Sequence, residues 1–386
     1  MKFFHLSDLH FGKQLHGYDL VTEQKAFIED TIQAVREEQP DAVVVAGDIY
    51  DKAVPSGSAM TLLEEFLLGI DAVSEETGKK IEMLLIAGNH DSAPRLRYGS
   101  AFLKRHHIHI AVFPPQEEGE QMQKITLQDD FGEVNFYLLP YVSAGMLRLL
   151  PGGEDIQTAN DAVSFLIGRE KVDWTKRNVL VSHQFYMNGG KEPVQCDSES
   201  PRLYVGGLDS VSTTAVEKFD YVALGHIHSP QNLGMERIRY CGTPFPYSVS
   251  EAGQDKSITV VELGKKEEIL VRQILWKPEK SVCRLRGTLE EIVRDSGKHG
   301  KDYVSITLTD EEPLDAPRDY LEHYYDSVLE VRIDNTRSRK EFEEETMDMQ
   351  EMTPFEAFAS FFEDVSGRGM TVQEEELLQD ILEEVL

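Results

Sequence analysis

Over the first 120 residues, short runs of consecutive apolar residues alternate with longer stretches in which apolar positions recur every three or four residues. Residues 2–6 form one such run and predict a strand leading into Ser7-Asp8. In residues 20–38, Val21, Ile28, Ile32 and Val35 fall on one helical face. Ala42-Val43-Val44-Val45-Ala46 is a short β-branched run of the kind that forms a buried strand. Residues 56–76 predict a second helix, and Ile81 to Ala87 another buried strand ending at Gly88-Asn89-His90. Continuous apolar strands alternating with helices imply βαβ units and a largely parallel sheet, with functional residues gathered beyond the carboxyl ends of the strands.

The pattern changes after about residue 120. Residues 122–128 and 133–139 predict a hairpin around Asp129-Asp130-Phe131-Gly132. Residues 178–181 and 221–224 are further apolar runs that deliver histidines at their ends, and residues 237–242 and 257–263 also predict strands. The expected fold class is α/β: a two-sheet sandwich flanked by helices over residues 1–275. Trp276-Lys277-Pro278 reads as a linker at the head of a small α+β domain, 276–335, with helices near 288–296 and 315–326 and strands near 303–308 and 328–333. Residues 336–352 form a charged linker, and 353–386 a helical pair. In that pair Thr353-Pro354-Phe355-Glu356 and Thr371-Val372-Gln373-Glu374 are helix starts. Phe355, Phe358, Phe362 and Val365 share one face, as do Leu378, Ile381, Leu382 and Val385. Such a stripe either docks on its own domain or serves as a groove-binding segment for a partner's helices.

Composition narrows the class. The chain has 386 residues, 40% of them hydrophobic and 28% charged, as in a soluble globular protein. No apolar stretch is long enough for a bilayer span, and polar residues interrupt the start too early for a signal peptide. Cys196, Cys241 and Cys283 are few, odd in number and far apart, so the expectation is a reducing, cytoplasmic setting without a disulfide framework. The formal net charge is −30. Residues 341–386 hold fifteen acidic residues against one basic residue, Arg368, leaving −16 on the other 340. Alone, this opposes tight polyanion binding. Acid committed to a cation site reverses the local sign, however, so a nucleic-acid substrate stays open with a partner to help hold it.

The chemistry lies at the ends of the apolar runs. Five segments appear in order: Asp8-Leu9-His10, Gly47-Asp48-Ile49-Tyr50-Asp51, Gly88-Asn89-His90-Asp91, His183, and Gly225-His226-Ile227-His228. They mix carboxylate, amide and imidazole donors without a cysteine, which suits two adjacent divalent metals used for hydrolysis better than a structural zinc. Each piece alone is weak, because a histidine after a strand is more often a hydrogen-bonded core residue. His5, His16, His106, His107, His109, His299 and His323 are assigned to that ordinary class. Five strand-end coincidences in one order are not explained that way.

The ordered set, with His5-Leu6-Ser7-Asp8-Leu9-His10-Phe11-Gly12, Gly88-Asn89-His90-Asp91-Ser92, Ala223-Leu224-Gly225-His226-Ile227-His228 and Tyr240-Cys241-Gly242-Thr243-Pro244, resembles the calcineurin-like metallophosphoesterases. Within them it resembles the nuclease subunits of bacterial SbcCD-type complexes. The resemblance implies one metal held by Asp8, His10, Asp48 and His228, and a second by Asp48, Asn89, His183 and His226. Asp48 would bridge them, each of its oxygens reaching one ion. Manganese is the implied metal, and magnesium is compatible with the donors. His90 is implied as the catalytic histidine, with the Asp51 carboxylate orienting it. The implied activity is two-metal hydrolysis of DNA phosphodiesters without sequence specificity: 3′→5′ exonuclease action on duplex ends and endonuclease action on single strands and hairpins, in DNA repair and recombination. Residues 276–335 are implied to be a capping domain over the DNA. The 353–386 pair is implied to grip a coiled-coil ATPase of the SbcC type; ATP would act from that partner, since this chain has no phosphate-binding Gly-x-x-x-x-Gly-Lys-[Ser/Thr] loop. A homodimer through helices near 58–73 and 93–105 is also implied, with Leu62, Leu63, Phe66, Leu67 and Ile70 either at that interface or buried on their own sheet. Arg95, Arg97, Lys104 and Arg105 are either phosphate contacts or a solvated helix face. The rival reading is a stand-alone dinuclear phosphoesterase acting on a nucleotide or phosphoprotein.

Overall fold

The β-branched runs become the inner strands of two six-stranded sheets. A computed structural model describes residues 1–199, 209–336 and 354–385. In the first sheet β1 (Lys2–Leu6), β2 (Ala42–Ala46), β3 (Glu82–Ile86) and β4 (Ile108–Ala111) run parallel. In the second, β5 (Gln123–Asp129) and β6 (Gly132–Leu139) form the expected hairpin. The strands β7 (Arg177–His183), β8 (Tyr221–Gly225) and β9 (Ile238–Tyr240) then lie parallel to β6, in the order β6, β7, β8, β9. The chain returns to the first sheet with β10 (Lys256–Leu263), antiparallel to β1, and closes it with β11 (Ile269–Trp276).

The sheets face each other across one core. Phe3, Val44, Ala46, Leu84 and Ile86 from the first meet Phe136, Leu138, Val179, Val181, Tyr221 and Ala223 from the second. Every residue of β2 is buried, which is why its sequence shows no polar alternation. The ring of Phe3 meets Phe136 and Tyr221 edge-on at 5.3 and 5.6 Å. The remaining layers are helical. Helices α1 (Val21–Glu38) and α2 (Gly57–Thr77) pack so closely that a Cβ on Gly69 would lie 2.1 Å from Ile32 Cδ1. Helix α3 (Ala159–Arg169) puts Ala159, Ala162, Val163 and Leu166 into a second core with Leu180, Val222 and Leu224. At the end of the sandwich opposite the carboxyl ends of β1 and β7, the buried Arg177 guanidinium bonds the Asp129 carboxylate and the carbonyls of Gly132 and Gly264. That clamp ties the hairpin to the first sheet.

Several elements lay outside the sequence expectation, among them β4, the strand Val282–Gly287, helix α3 and strand β11. Helix α3 starts with a capping box in which Asp161, not Glu or Gln, answers Thr158. Strand β11 carries apolar residues on both faces, with Leu270 and Leu275 exposed, so it has no clean alternation. Trp276, expected at the start of a linker, is instead the last residue of β11, buried against Phe27 and Phe245.

The described residues divide into two compact units, Met1–Cys283 with Lys301–Tyr303, and Arg284–Gly300 with Val304–Leu386. The second unit contains helix α4 (Leu289–His299), which begins at a Thr288–Glu291 capping box. A three-stranded sheet runs in the order Val282–Gly287, Tyr303–Leu308, Ser327–Ile333. The helix expected over 315–326 is only Pro317–Leu321, because the chain then turns back and the Asp326 N–H bonds the Gly300 carbonyl at 2.8 Å. Helices α5 (Pro354–Ser366) and α6 (Val372–Val385) form the expected pair. Thr371 and Glu374 cap α6 reciprocally. The charged linker and the Thr353 helix start lie outside the described residues. Among the described residues, no helix is long and apolar enough to cross a membrane.

Candidate metal centre

Five strands of the two sheets end at one place, and their loops are tied there by main-chain bonds. The Asp8 N–H bonds the Gly47 carbonyl at 2.9 Å and the His10 N–H bonds the Asp48 carbonyl at 3.0 Å, so the loops after β1 and β2 run together. In the second sheet Gly225 stands opposite His183 in parallel register, which sets His183 and His226 on adjacent strand ends. Asp8, His10, Asp48 and His226 all take left-handed backbone conformations, with φ of 51°, 43°, 49° and 100°. Such angles in non-glycine residues cost of order 1–3 kcal/mol each and persist only where the surroundings enforce them. Here they turn the side chains inward.

The motif glycines make room. Gly47 has a φ of 89°, and a Cβ there would sit 2.3 Å from His183 Nδ1. Gly88 serves close approach rather than a bend, since its Cβ would lie 2.1 Å from Asp48 Oδ1. A Cβ on Gly225 would lie 1.9 Å from the Ala46 carbonyl oxygen.

The side chains converge on Asp48. Its Oδ2 lies 3.3 Å from His183 Nε2, 3.7 Å from His10 Nε2 and 3.9 Å from His90 Nε2. Its Oδ1 accepts the His90 N–H at 2.9 Å. The two oxygens therefore sit in different settings: Oδ2 faces imidazoles from both sheets, and Oδ1 holds the His90 loop. Asn89 Oδ1 lies 3.0 Å from His183 Nε2 and 2.9 Å from His226 Nδ1. Ligand atoms of Asp8, His10 and His228 lie within 4.8 Å of one another, as do those of Asp8, Asp48 and His183.

Proton placement shows that these residues fit a cation. His183 Nδ1–H donates to the Ala46 carbonyl at 2.8 Å, so Nε2 is the atom turned to the oxygens of Asn89 and Asp48, where either a proton or a cation satisfies it. His10 Nε2 and His228 Nε2 face each other at 3.2 Å, and the buried His10 Nδ1 has no hydrogen-bond partner among the described residues. Such a cluster calls for positive charge. Burial alone would lower the pKa of His183, yet the Asp48 carboxylate and its hydrogen bond raise it to about 9. Burial holds His10 well below the ordinary range, so its ring is neutral and keeps one nitrogen lone pair. Carboxylate, amide oxygen and imidazole together suit divalent ions that accept oxygen and nitrogen donors.

His90 differs from the others. It is one-quarter exposed, whereas His10 and His183 are fully buried. Its Nδ1–H is held by the Asp51 main-chain carbonyl at 2.9 Å. The expected contact from the Asp51 carboxylate is thus replaced by the backbone of the same residue. That carboxylate is engaged by Lys13 at 2.8 Å and lies 3.8 Å from His10 Nδ1.

Several supporting residues carried no sequence signal. Asp91 is in the Gly-Asn-His-Asp motif, but its task is structural: its carboxylate accepts the N–H groups of Ile49, Tyr50 and Gly88 and so joins two loops. The Tyr247 hydroxyl bonds the Leu9 carbonyl, and its ring lies 5.5 Å from that of His10. Of the histidines assigned to the ordinary class, His5 spans the sheets between the Tyr221 hydroxyl and the Leu224 carbonyl, and burial lowers its pKa to about 3. His109 pairs with Glu82 at 2.8 Å, and His106 with Asp71 at 3.2 Å. Arg95, Arg97, Lys104 and Arg105 are all exposed. The apolar set Leu62, Leu63, Phe66, Leu67 and Ile70 is buried within the chain itself. The face left outside is Met60, Leu68, Tyr98 and Phe102, between 52% and 90% exposed.

Comparisons with known proteins identify the family of this chain. A family profile described as calcineurin-like phosphoesterase matches residues 1–230. The chain belongs to this family. A second profile, described as type 5 capsule protein repressor C-terminal domain, matches residues 278–366. The chain is 31% identical to the SbcD component of the nuclease SbcCD from Staphylococcus epidermidis over 333 residues, 85% of this chain and 84% of the relative. It is 28% identical to the component of the same name in Staphylococcus saprophyticus subsp. saprophyticus over 390 aligned positions, 100% of this chain and 99% of the relative.

The glycine geometry gives a direct test. Gly88→Ala should fold yet displace Asp48 and weaken binding of a divalent cation by more than roughly tenfold, the effect of losing a support behind a cation-binding side chain. Gly297→Ala, where a Cβ meets open space, should leave binding unchanged. Isothermal titration of both variants with manganese checks this.

Proposed function

We propose that the chain is a metal-dependent DNA nuclease, the component that cuts DNA in a complex of the SbcCD kind. The observation that carries this reading is the convergence on Asp48 Oδ2 of donors from both sheets, in a chain that aligns over its whole length with the SbcD component of an SbcCD nuclease. Asp8, His10, Asp48 and His228 would hold one divalent ion, and Asp48, Asn89, His183 and His226 the other. Manganese is the proposed metal. When bound, two such ions supply Lewis acidity to a phosphodiester and lower the pKa of water.

The chain's own residues do the rest. Asp48 fixes the centre of the site through Oδ2 and anchors the His90 loop through Oδ1. The Asp51 carbonyl orients the His90 ring by its Nδ1–H, so Nε2 points towards the site. A proton held at His90 Nε2 can be given to the leaving oxygen, or can contact a phosphoryl oxygen. The exposure of His90 supports this division: the proposed carboxylate and imidazole ligands are buried, whereas the proton donor is open to a substrate. Asp51 contributes through its main chain and through the Lys13 ion pair.

The partners follow from surfaces. A net charge of −30 leaves little to hold DNA without help, and the exposed Arg95, Arg97, Lys104 and Arg105, which follow His90 in sequence, are the proposed phosphate contacts. Residues 276–335 are proposed to cap the DNA and 336–352 to link onward. Helices α5 and α6 expose Phe358, Phe361, Val365, Leu377 and Ile381, which supports the reading of 353–386 as a docking segment for an SbcC-type coiled-coil ATPase. A homodimer is proposed through the groove of about 810 Å³ lined by Met60, Leu63, Leu67, Leu68, Tyr98 and Phe102.

Two outcomes are expected. With manganese and the coiled-coil ATPase, the chain should cleave a linear duplex and a DNA hairpin. Asp48→Ala should lose both metal and cleavage. His90→Gln should keep metal binding and lose turnover by roughly 10²–10⁴-fold. Cleavage of p-nitrophenyl phosphate with DNA left intact would move the substrate to small phosphoesters. For the dimer, Phe102→Asp should sediment as a monomer where the unaltered chain sediments as a dimer. Identical sedimentation would remove this groove from the interface.

A further inference from the structure

His228 is held at every polar atom except one. Its main-chain N–H donates to Glu199 Oε1 at 2.9 Å. Its carbonyl accepts the Thr243 N–H at 3.1 Å and Lys256 Nζ at 3.2 Å. On the ring, Nδ1 lies 2.6 Å from Ser198 Oγ. Only Nε2 is left, facing His10 Nε2 at 3.2 Å.

The direction of the Ser198 hydrogen bond can be worked out from its neighbours. Ser198 Oγ lies 2.5 Å from Glu251 Oε1. Glu251 is fully buried, and donors surround its carboxylate: Tyr247 N–H and Ser248 Oγ at Oε1, Thr243 Oγ1 and Lys256 Nζ at Oε2. The Lys256 ammonium, 2.6 Å away and itself buried, keeps Glu251 an ionised acceptor. The single hydroxyl proton of Ser198 must therefore point at Glu251, because the reverse orientation would set a lone pair against a carboxylate at 2.5 Å. Ser198 Oγ can then only accept from the ring, so the proton of neutral His228 sits on Nδ1.

We infer that Ser198, backed by Glu251 and Lys256, is a positioning residue that locks His228 in the Nδ1–H tautomer and presents its Nε2 lone pair to the cation beside His10. The inference rests on the metal-site reading above. A hydroxyl here inserts one atom between carboxylate and imidazole; the direct His228 Nδ1 to Glu251 separation is 3.9 Å, too long for a hydrogen bond. It also places part of the control of a metal ligand on the loop at 196–199, outside all five motifs.

The full chain, stripped of metal with chelator, is compared with Ser198→Ala and Ser198→Thr. Side-chain ¹⁵N NMR, with His228 assigned by its loss in His228→Gln, should show the Nδ1–H tautomer in the unaltered chain and in Ser198→Thr. In Ser198→Ala it should show the Nε2–H form or a mixture. Calorimetric titration with manganese alone should then weaken one of two sites by roughly 10–100-fold in Ser198→Ala, and Ser198→Thr should restore it. Unchanged melting of the stripped proteins would show that the fold is not the cause. An Nε2–H signal from His228 in the unaltered chain would overturn the inference, as would equal manganese affinities in Ser198→Ala and the unaltered chain. If the unaltered chain bound no manganese, the metal-site reading would fall and this inference with it.

Discussion

The Asp48 carboxylate is the point on which the two halves of the sandwich depend. One oxygen faces imidazoles delivered by both sheets, His10 from the first and His183 from the second. The other receives the main-chain N–H of His90. A buried carboxylate in such a position is costly unless every lone pair is used. Its pKa lies well below the ordinary range because the charge and hydrogen bond of His183 outweigh burial. Around this group the fold accepts four strained backbone positions and three glycines with no room for a side chain.

The same requirement extends outward. His183 is fixed by the Ala46 carbonyl, His90 by the Asp51 carbonyl, and His228 by Ser198 and Glu251. In each case one ring nitrogen is committed to the protein so that the other is directed to the site. Two of the three supports are main-chain carbonyls at the end of β2 and in the loop after it, so the strand that positions Asp48 also orients the histidines around it. The inner strands pack closely through Val43 to Ala46, Leu84 to Ile86, Val179 to Val181 and Val222 to Leu224, and this packing holds the polar atoms at their carboxyl ends in one arrangement.

Much of this was legible in the sequence, for identifiable reasons. Ala42 to Ala46 is buried on both faces and reads as an unbroken apolar run. The segments at Asp8, Asp48, Asn89, His183 and His226 stand out because each follows such a run. Asp91 was visible only as a motif letter; that it joins two loops depends on where Ile49 and Tyr50 are in space. Glu251, Lys256 and Ser198 gave no signal, because their relation to His228 is wholly tertiary. Leu62, Phe66 and Ile70 showed an apolar face without telling whether it was already covered, and the exposed face proved to be Met60, Leu68, Tyr98 and Phe102. Asp51 was singled out for its side chain, whereas its carbonyl makes the contact, a distinction that no residue type encodes.

Electron paramagnetic resonance of the chain loaded with two equivalents of manganese(II) tests the shared centre most directly. Two ions that share Asp48 should give an exchange-coupled spectrum, replaced in Asp48→Ala by the signal of isolated or free manganese. A six-line signal from magnetically independent ions in the unaltered chain would contradict a dinuclear site built on Asp48.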